Sequence, residues 1–224
     1  MPGGGDSSVK IILSIVVLAA VTIGVFGQDI QLKQPPARIG MDFFDLIKAR
    51  AAERNFVKRD IPVADLSTIL WAGNGLKGPD AVSGASKAGR TIPYSGDVAY
   101  MNVYVLTASG AYLYQPDAAL LKQVSKGDSR AQITPEFIPT SAAMLLFTYD
   151  FAKAPSFLKS TPALFREMAN GTAGYAAENM MLAAAASRIG SIVMYNIKPQ
   201  AVAAAARLGK DEVPLFIVQL GYSQ

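Results

Sequence analysis

From Ala173 to Ile189 the chain is dominated by alanine and methionine, with polar residues confined to a few positions such as Glu178, Asn179 and Arg188. Alanine and methionine favour helix, and a helix that is apolar on nearly every side has no face to give to water. This stretch predicts a helix packed in the centre of a domain, with the remaining elements built around it. The 224-residue chain is long enough for that: it is 51% apolar and 17% charged, the balance of a folded, core-rich protein of one domain.

The pattern on either side mixes helices with a discontinuous set of strands. Phe43, Phe44, Leu46, Ile47 and Ala51 recur at mostly helical spacing between Met41 and Phe56, which predicts an amphipathic helix carrying Arg50 and Arg54 one turn apart near its end. A second helix follows Pro62 through Leu66, Ile69, Leu70 and Trp71 and stops at Gly73 to Gly75; Lys77 to Ala88 is loop. Met101 to Thr107 alternates, turns through Ala108-Ser109-Gly110 and returns from Ala111 to Tyr114, a β-hairpin. Further helices are predicted at Ala118 to Val124, Leu158 to Asn170 and Lys198 to Arg207, and strands at Met144 to Tyr149, Ser191 to Tyr195 and Val213 to Leu220. The expected class is α+β, not a doubly wound sheet.

The amino terminus has the form of an export signal. Lys10 precedes an apolar run from Ile11 to Phe26, and Val25-Phe26-Gly27 suits a signal peptidase. The run is shorter than the roughly 20 residues of a membrane span, so a cleaved signal over residues 1–27 is expected, with a membrane tether through residues 11–26 as the alternative. Residues 28–40, with Pro35 and Pro36, read as an extended leader into a domain spanning 41–224.

Histidine and cysteine are both absent, which removes disulfides, thiolate metal sites and the usual relays to a nucleophile. No metal site and no triad is expected, and Ser83, Ser95 and Ser141 have no G-x-S-x-G setting. An enzyme made from this chain leans on a cofactor that brings its own reactivity. The formal charge of +4 is modest and the basic residues are scattered, so nucleic acid is not an expected partner. Gly73-Asn74-Gly75-Leu76-Lys77-Gly78 spells G-x-G-x-x-G, but it follows a helical pattern and enters a polar loop, whereas a dinucleotide fingerprint follows a strand and opens a helix.

Two groups of residues remain as candidates for binding an anion: Arg50 with Arg54, and Arg90-Thr91-Ile92-Pro93-Tyr94-Ser95 with its cation and hydroxyls. In order along the chain, Arg50-Ala51-Ala52-Glu53-Arg54-Asn55-Phe56, Leu66 to Ala72 before Asn74-Gly75, Arg90-Thr91-Ile92-Pro93, Gly110 to Tyr114, Gly127-Asp128-Ser129-Arg130 and Gly174 to Leu182 are similar to R-R-S-x-R-x-F, R-T-x-P, G-x-Y-x-Y, G-D-x-R and G-x-x-x-Q-N-x-x-L of the SagB-type branch of the nitroreductase family. The resemblance implies a nitroreductase-like α+β sandwich with a central antiparallel-rich sheet flanked by helices, a homodimer sharing helices, and FMN between subunits.

Carried over by position, Arg50 meets the FMN phosphate or ribityl chain, Arg54 the pyrimidine end of the ring, and Arg90, Thr91, Pro93 and Ser95 the cofactor-binding loop. Ala52 stands where the family has serine, and Pro93 to Ala99 replaces P-S-A-x-N-x-Q, with Thr91 and Ser95 supplying hydroxyls and Asp97 a charge that repels phosphate. The expected function is two-electron transfer to or from a small organic substrate; an exported protein does not ordinarily meet NAD(P)H, so either another donor serves or the apolar run is a membrane anchor that leaves the domain inside. The alternative is an exported nitroreductase-like binding protein that has lost FMN and catalysis.

Overall fold

The computed structural model describes residues 28–77, 89–95 and 98–224. The apolar run before Gln28, most of the Lys77 to Ala88 loop, and Gly96 and Asp97 lie outside the described residues. The elements in chain order are β1 (Ile30–Gln31), α1 (Phe43–Ala49), β2 (Phe56–Val57), α2 (Val63–Asn74), β3 (Met101–Thr107), β4 (Gly110–Gln115), β5 (Leu120–Lys126), α3 (Arg130–Ile133), β6 (Ala143–Asp150), α4 (Pro162–Ala186), β7 (Ile189–Met194), α5 (Pro199–Ala206) and β8 (Glu212–Ser223).

The strands form one 8-stranded sheet in the order β1-β5-β4-β3-β6-β8-β2, with β7 also paired to β8. Among the described residues, the pairings between these strands are antiparallel. Side-chain alternation divides the interior. Val103, Val105, Leu145 and Phe147 face a core shared with α2 and α4, while Tyr104, Leu106, Met144 and Leu146 face a second core with Val202, Ala205 and Ala206 of α5. Helices thus cover both faces of the sheet, as expected for the α+β class.

The central helix is longer than the sequence suggests. Expected as two pieces, it is one α4 of 25 residues that runs unbroken through Gly171 and Gly174. Phe165, Ala169, Ala173, Ala176, Met180 and Ala184 are fully buried at helical spacing, and Phe165 alone contributes roughly 1.5–3 kcal/mol by burial. That packing outweighs a glycine penalty of about 1 kcal/mol each. Gly73, inside α2, lets the two helices touch: a Cβ there would overlap the Met180 side chain and the Ala176 carbonyl.

Two local expectations differ. Ala118 to Val124 is not helical; a left-handed Ala119 ends a short 3-10 turn and Leu120 enters β5, where pairing with β4 and β1 overrides the local preference. The first helix is also shorter. Asp42 caps α1 by accepting from the Phe44 N–H at 2.9 Å, and the helix closes at Arg50, whose backbone is extended. Arg50 and Arg54 are therefore not one turn apart on a helix. Beyond Arg50 the chain is extended, Ala52 bridges Ser191 in parallel, and the Glu53 N–H donates to the Ser191 carbonyl at 3.0 Å.

The leader is part of the sheet. β1 pairs with β5, the Leu32 N–H donates to Ala119 O at 2.8 Å, and the Lys33 N–H donates to the Ser67 hydroxyl on α2 at 2.9 Å.

Candidate functional site

A cavity of about 440 Å³ opens where the end of α4, the start of β7, the end of β8 and the segment after α1 converge. Its size lies in the range of small-molecule sites, about 300–1,000 Å³. Arg50 and Arg188 bring cations to it, Glu53 a carboxylate, and Ser191 and Ser223 hydroxyls.

Local folding places each group. Arg50 caps α1 through its backbone N–H to Leu46 O at 2.9 Å, and its guanidinium Nε reaches Glu178 of α4 at 3.5 Å, with a third of the side chain exposed. Arg188 adopts a left-handed conformation, φ 57°, that swings the chain from α4 into β7. The Glu53 carboxylate accepts from the N–H groups of Asn55 at 2.6 Å and Arg54 at 2.7 Å. Those donors, Asn55 first, hold its carboxyl below the ordinary range, so it stays ionised at neutral pH. Gly190 forms the back wall because a Cβ there would come within 2.8 Å of the Glu53 side chain and 2.9 Å of the Ser223 hydroxyl.

The cavity thus has two cations and a carboxylate already held by backbone, with Arg50 shared with a second carboxylate, Glu178. Guanidinium forks and hydroxyls suit a phosphate or another oxyanion. Ala52 and Arg54 flank this segment without lining the cavity. Arg188 was not singled out from the sequence; its one signal there is a cation at the end of an alanine-rich helix.

The second group of candidates lies elsewhere. The Arg90 side chain is buried, donates to Asn74 O at 3.2 Å and meets the Asp117 carboxylate at 3.4 Å. The Thr91 hydroxyl donates to Trp71 O at 2.9 Å and accepts from the Gly75 N–H at 3.1 Å. Both side chains fasten this segment to the end of α2. Pro93 and Ser95 border a separate cavity of about 300 Å³ with Gly171, Thr172 and Tyr175 of α4. Tyr94 beside them is buried, and its hydroxyl donates to Asn74 Oδ1 at 2.8 Å; burial pushes its ionisation well up, so it remains a neutral donor. On α4, Gly171, Thr172 and Tyr175 lie more than two turns before the Ala185 and Arg188 end of the Arg50 cavity, whereas Glu178, which meets Arg50, is within one turn of Tyr175. The two cavities have no lining residue in common.

Comparison with known proteins places this geometry in a family. The model of the nitroreductase family matches residues 47–222. A solved structure from Ralstonia eutropha JMP134, described as a candidate nitroreductase, is 26% identical with a TM-score of 0.77, over 90% of this chain and 92% of that one. One chain of the E. coli microcin synthetase McbBCD complex with truncated pro-MccB17 bound is 17% identical, TM-score 0.65, over 96% and 85%. The NADPH:FMN oxidoreductase from Vibrio harveyi complexed with NAD+ is 17% identical, TM-score 0.55, over 81% and 68%. No curated protein matches by sequence.

Proposed function

The chain belongs to the nitroreductase family and is an oxidoreductase of that kind, and on this footing we propose that it works as an FMN-dependent homodimer moving two electrons to or from a small organic substrate. The observation that carries this reading is the cavity of about 440 Å³ with Arg50 and Arg188 at its edge and Ser191 and Ser223 within it. These residues fit a flavin phosphate: the guanidinium groups neutralise it and the hydroxyls donate to its oxygens. Bound FMN supplies the two-electron chemistry, and the chain orients the flavin and excludes water.

The homodimer is supported by the outer face of α1 and α4. Phe43, Phe44, Ile47, Leu164 and Tyr175 are exposed there, Phe44 at 69%. Gly171 and Gly174 lie on the same side with open space at their Cβ positions. Exposed glycines in mid-helix weaken a helix without filling any need of the single chain, and they suit close approach of a second backbone. An antiparallel α4 from a second copy would bring its Pro93 and Ser95 towards the Arg50 cavity of the first. The two candidate groups would then meet across the interface.

The order of the motifs and the likeness to the microcin synthetase chain support the SagB-type branch. The run 11–26 fits export of the domain, cleaved or tethered, with a donor other than NAD(P)H. A second reading, an exported binding protein that has lost FMN and catalysis, is favoured by the carboxylates of Glu178 and Glu53 near the same cations. Titration of the purified chain with FMN decides between them. Saturable binding weakened about tenfold or more by Arg50→Ala and by Arg188→Ala supports the oxidoreductase. A colourless chain that ignores FMN leaves the binding protein.

A further inference from the structure

The leader, α2 and the turn after β4 enclose a further cavity of about 460 Å³ that the flavin reading does not use. Leu32 to Pro35 form one wall, Ser67 and Trp71 a second, and Tyr114, Pro116, Asp117 and Ala119 a third. These walls are tied to each other. The Leu32 and Lys33 N–H groups donate to Ala119 O and to the Ser67 hydroxyl, and the Gln31 amide donates to Ala119 O at 2.9 Å.

The indole of Trp71 is fixed because its N–H already donates to Leu76 O at 2.7 Å, and the residue forms part of the cavity wall. Tyr114 adds a second ring, and its hydroxyl stays protonated because burial drives its ionisation up. Lys33 and Lys77 line the same space, and neither ammonium has a carboxylate partner among the described residues. The one acid in the wall, Asp117, is met by the Arg90 guanidinium at 3.4 Å. The cavity therefore combines an aromatic lining with a net positive charge.

We infer that this cleft is a second ligand site, for a planar aromatic carboxylate whose ring packs on Trp71 and Tyr114 while its charge meets Lys33 and Lys77. Stacking on a fixed indole favours a flat ring, and the lysines select the anion over a neutral analogue of the same shape. The site is distinct from the flavin cavity. It lies at the β5 and β4 side of the sheet, whereas the flavin cavity lies at β8 and β7, about 15–20 Å away at the strand spacing of about 4.8 Å. It also adjoins the anchors of the 90–95 segment, since Asp117 holds Arg90 and the Trp71 carbonyl holds Thr91. The cleft is formed whether or not FMN is bound at the other cavity.

Trp71 is the only tryptophan in the chain, so the site carries its own reporter. The full chain is titrated with naphthoate and with naphthamide, followed by calorimetry and by Trp71 fluorescence, with and without FMN. The expected result is saturable naphthoate binding that changes Trp71 emission, persists with FMN present, exceeds naphthamide binding by about tenfold, and falls about tenfold in the Lys33→Ala, Lys77→Ala double variant. Both lysines are exposed, so the variant folds, and circular dichroism checks that. Absence of binding, equal binding of the amide, displacement by FMN, or indifference to the double variant each overturns the proposal.

Discussion

Arg50 and Glu178 face one another at the edge of the cavity, guanidinium Nε to carboxylate oxygen, 3.5 Å apart. The pair joins the residue that ends α1 to the middle of α4, and it occupies the cation best placed to receive an anion. Any phosphate bound there competes with Glu178.

Glu178→Gln keeps the shape and removes that competition. A charge near a phosphate in a solvated site is worth about 1 kcal/mol, so FMN affinity should rise about fivefold, as read by fluorescence titration. Unchanged affinity would mean that Arg50 is not a phosphate ligand.

Gly73→Ala tests the packing of α2 on α4. The added methyl overlaps the Met180 side chain and stands 2.7 Å from the Ala176 carbonyl, both in the central helix. Overpacking of this kind costs about 1–3 kcal/mol, to be seen as a lower urea midpoint with an unchanged slope.

Gly171→Ala and Gly174→Ala should act in opposite directions on the two levels of structure. Both positions have room for a methyl and favour helix by up to about 1 kcal/mol each, so the isolated fold gains stability. The homodimer, if α4 packs closely against its copy, loses affinity, which sedimentation at graded concentrations measures. A double variant that dimerises as before would remove α4 from the interface.

Asp128 ties a different loop. It accepts from Arg130 Nε at 2.8 Å and Nη2 at 2.7 Å, and Arg130 also donates to the Ser141 carbonyl at 2.8 Å. The Arg130 hydrogen bonds hold the Asp128 carboxyl below its ordinary value of 3.8. A carboxyl lowered on folding contributes stability that is complete above 3.8 and lost as pH falls through the lower folded value. Acid unfolding should therefore show a component in that window that Asp128→Asn removes; an identical acid profile would count against the pairing.

The sequence revealed different parts of this structure to different degrees. Hairpin β3–β4 was legible because its alternation serves two cores at once, Val103 and Val105 on one side and Tyr104 and Leu106 on the other. The central helix was legible as buried, but its length was not, since Gly171 and Gly174 look like a break until Phe165 and Ala169 are seen packed in register with Ala176 and Met180. Strand β5 reads as helix in the sequence because its pairing with β4 and β1 is made by distant residues, a tertiary effect that local composition does not carry. In the candidate site, Arg50 was found from its motif, whereas Arg188 becomes visible only when the turn from α4 into β7 carries it to the same cavity. The helical spacing of Arg50 and Arg54 suggested one anion shared by both; the Ala52 bridge to Ser191 draws the chain out before Arg54 is reached.

The short pairing of Ile30 and Gln31 with β5 has a consequence for how the protein survives at high concentration. Without it, Leu120 and Leu121 would belong to a bare strand edge, open to the edge of any neighbouring molecule. A cut between Leu32 and Arg38 would leave most of both cores intact and still create a sticky border, so such a fragment should be lost to ordered aggregates sooner than to unfolding. In that sense the first residues of the fold are its guard against self-templated growth.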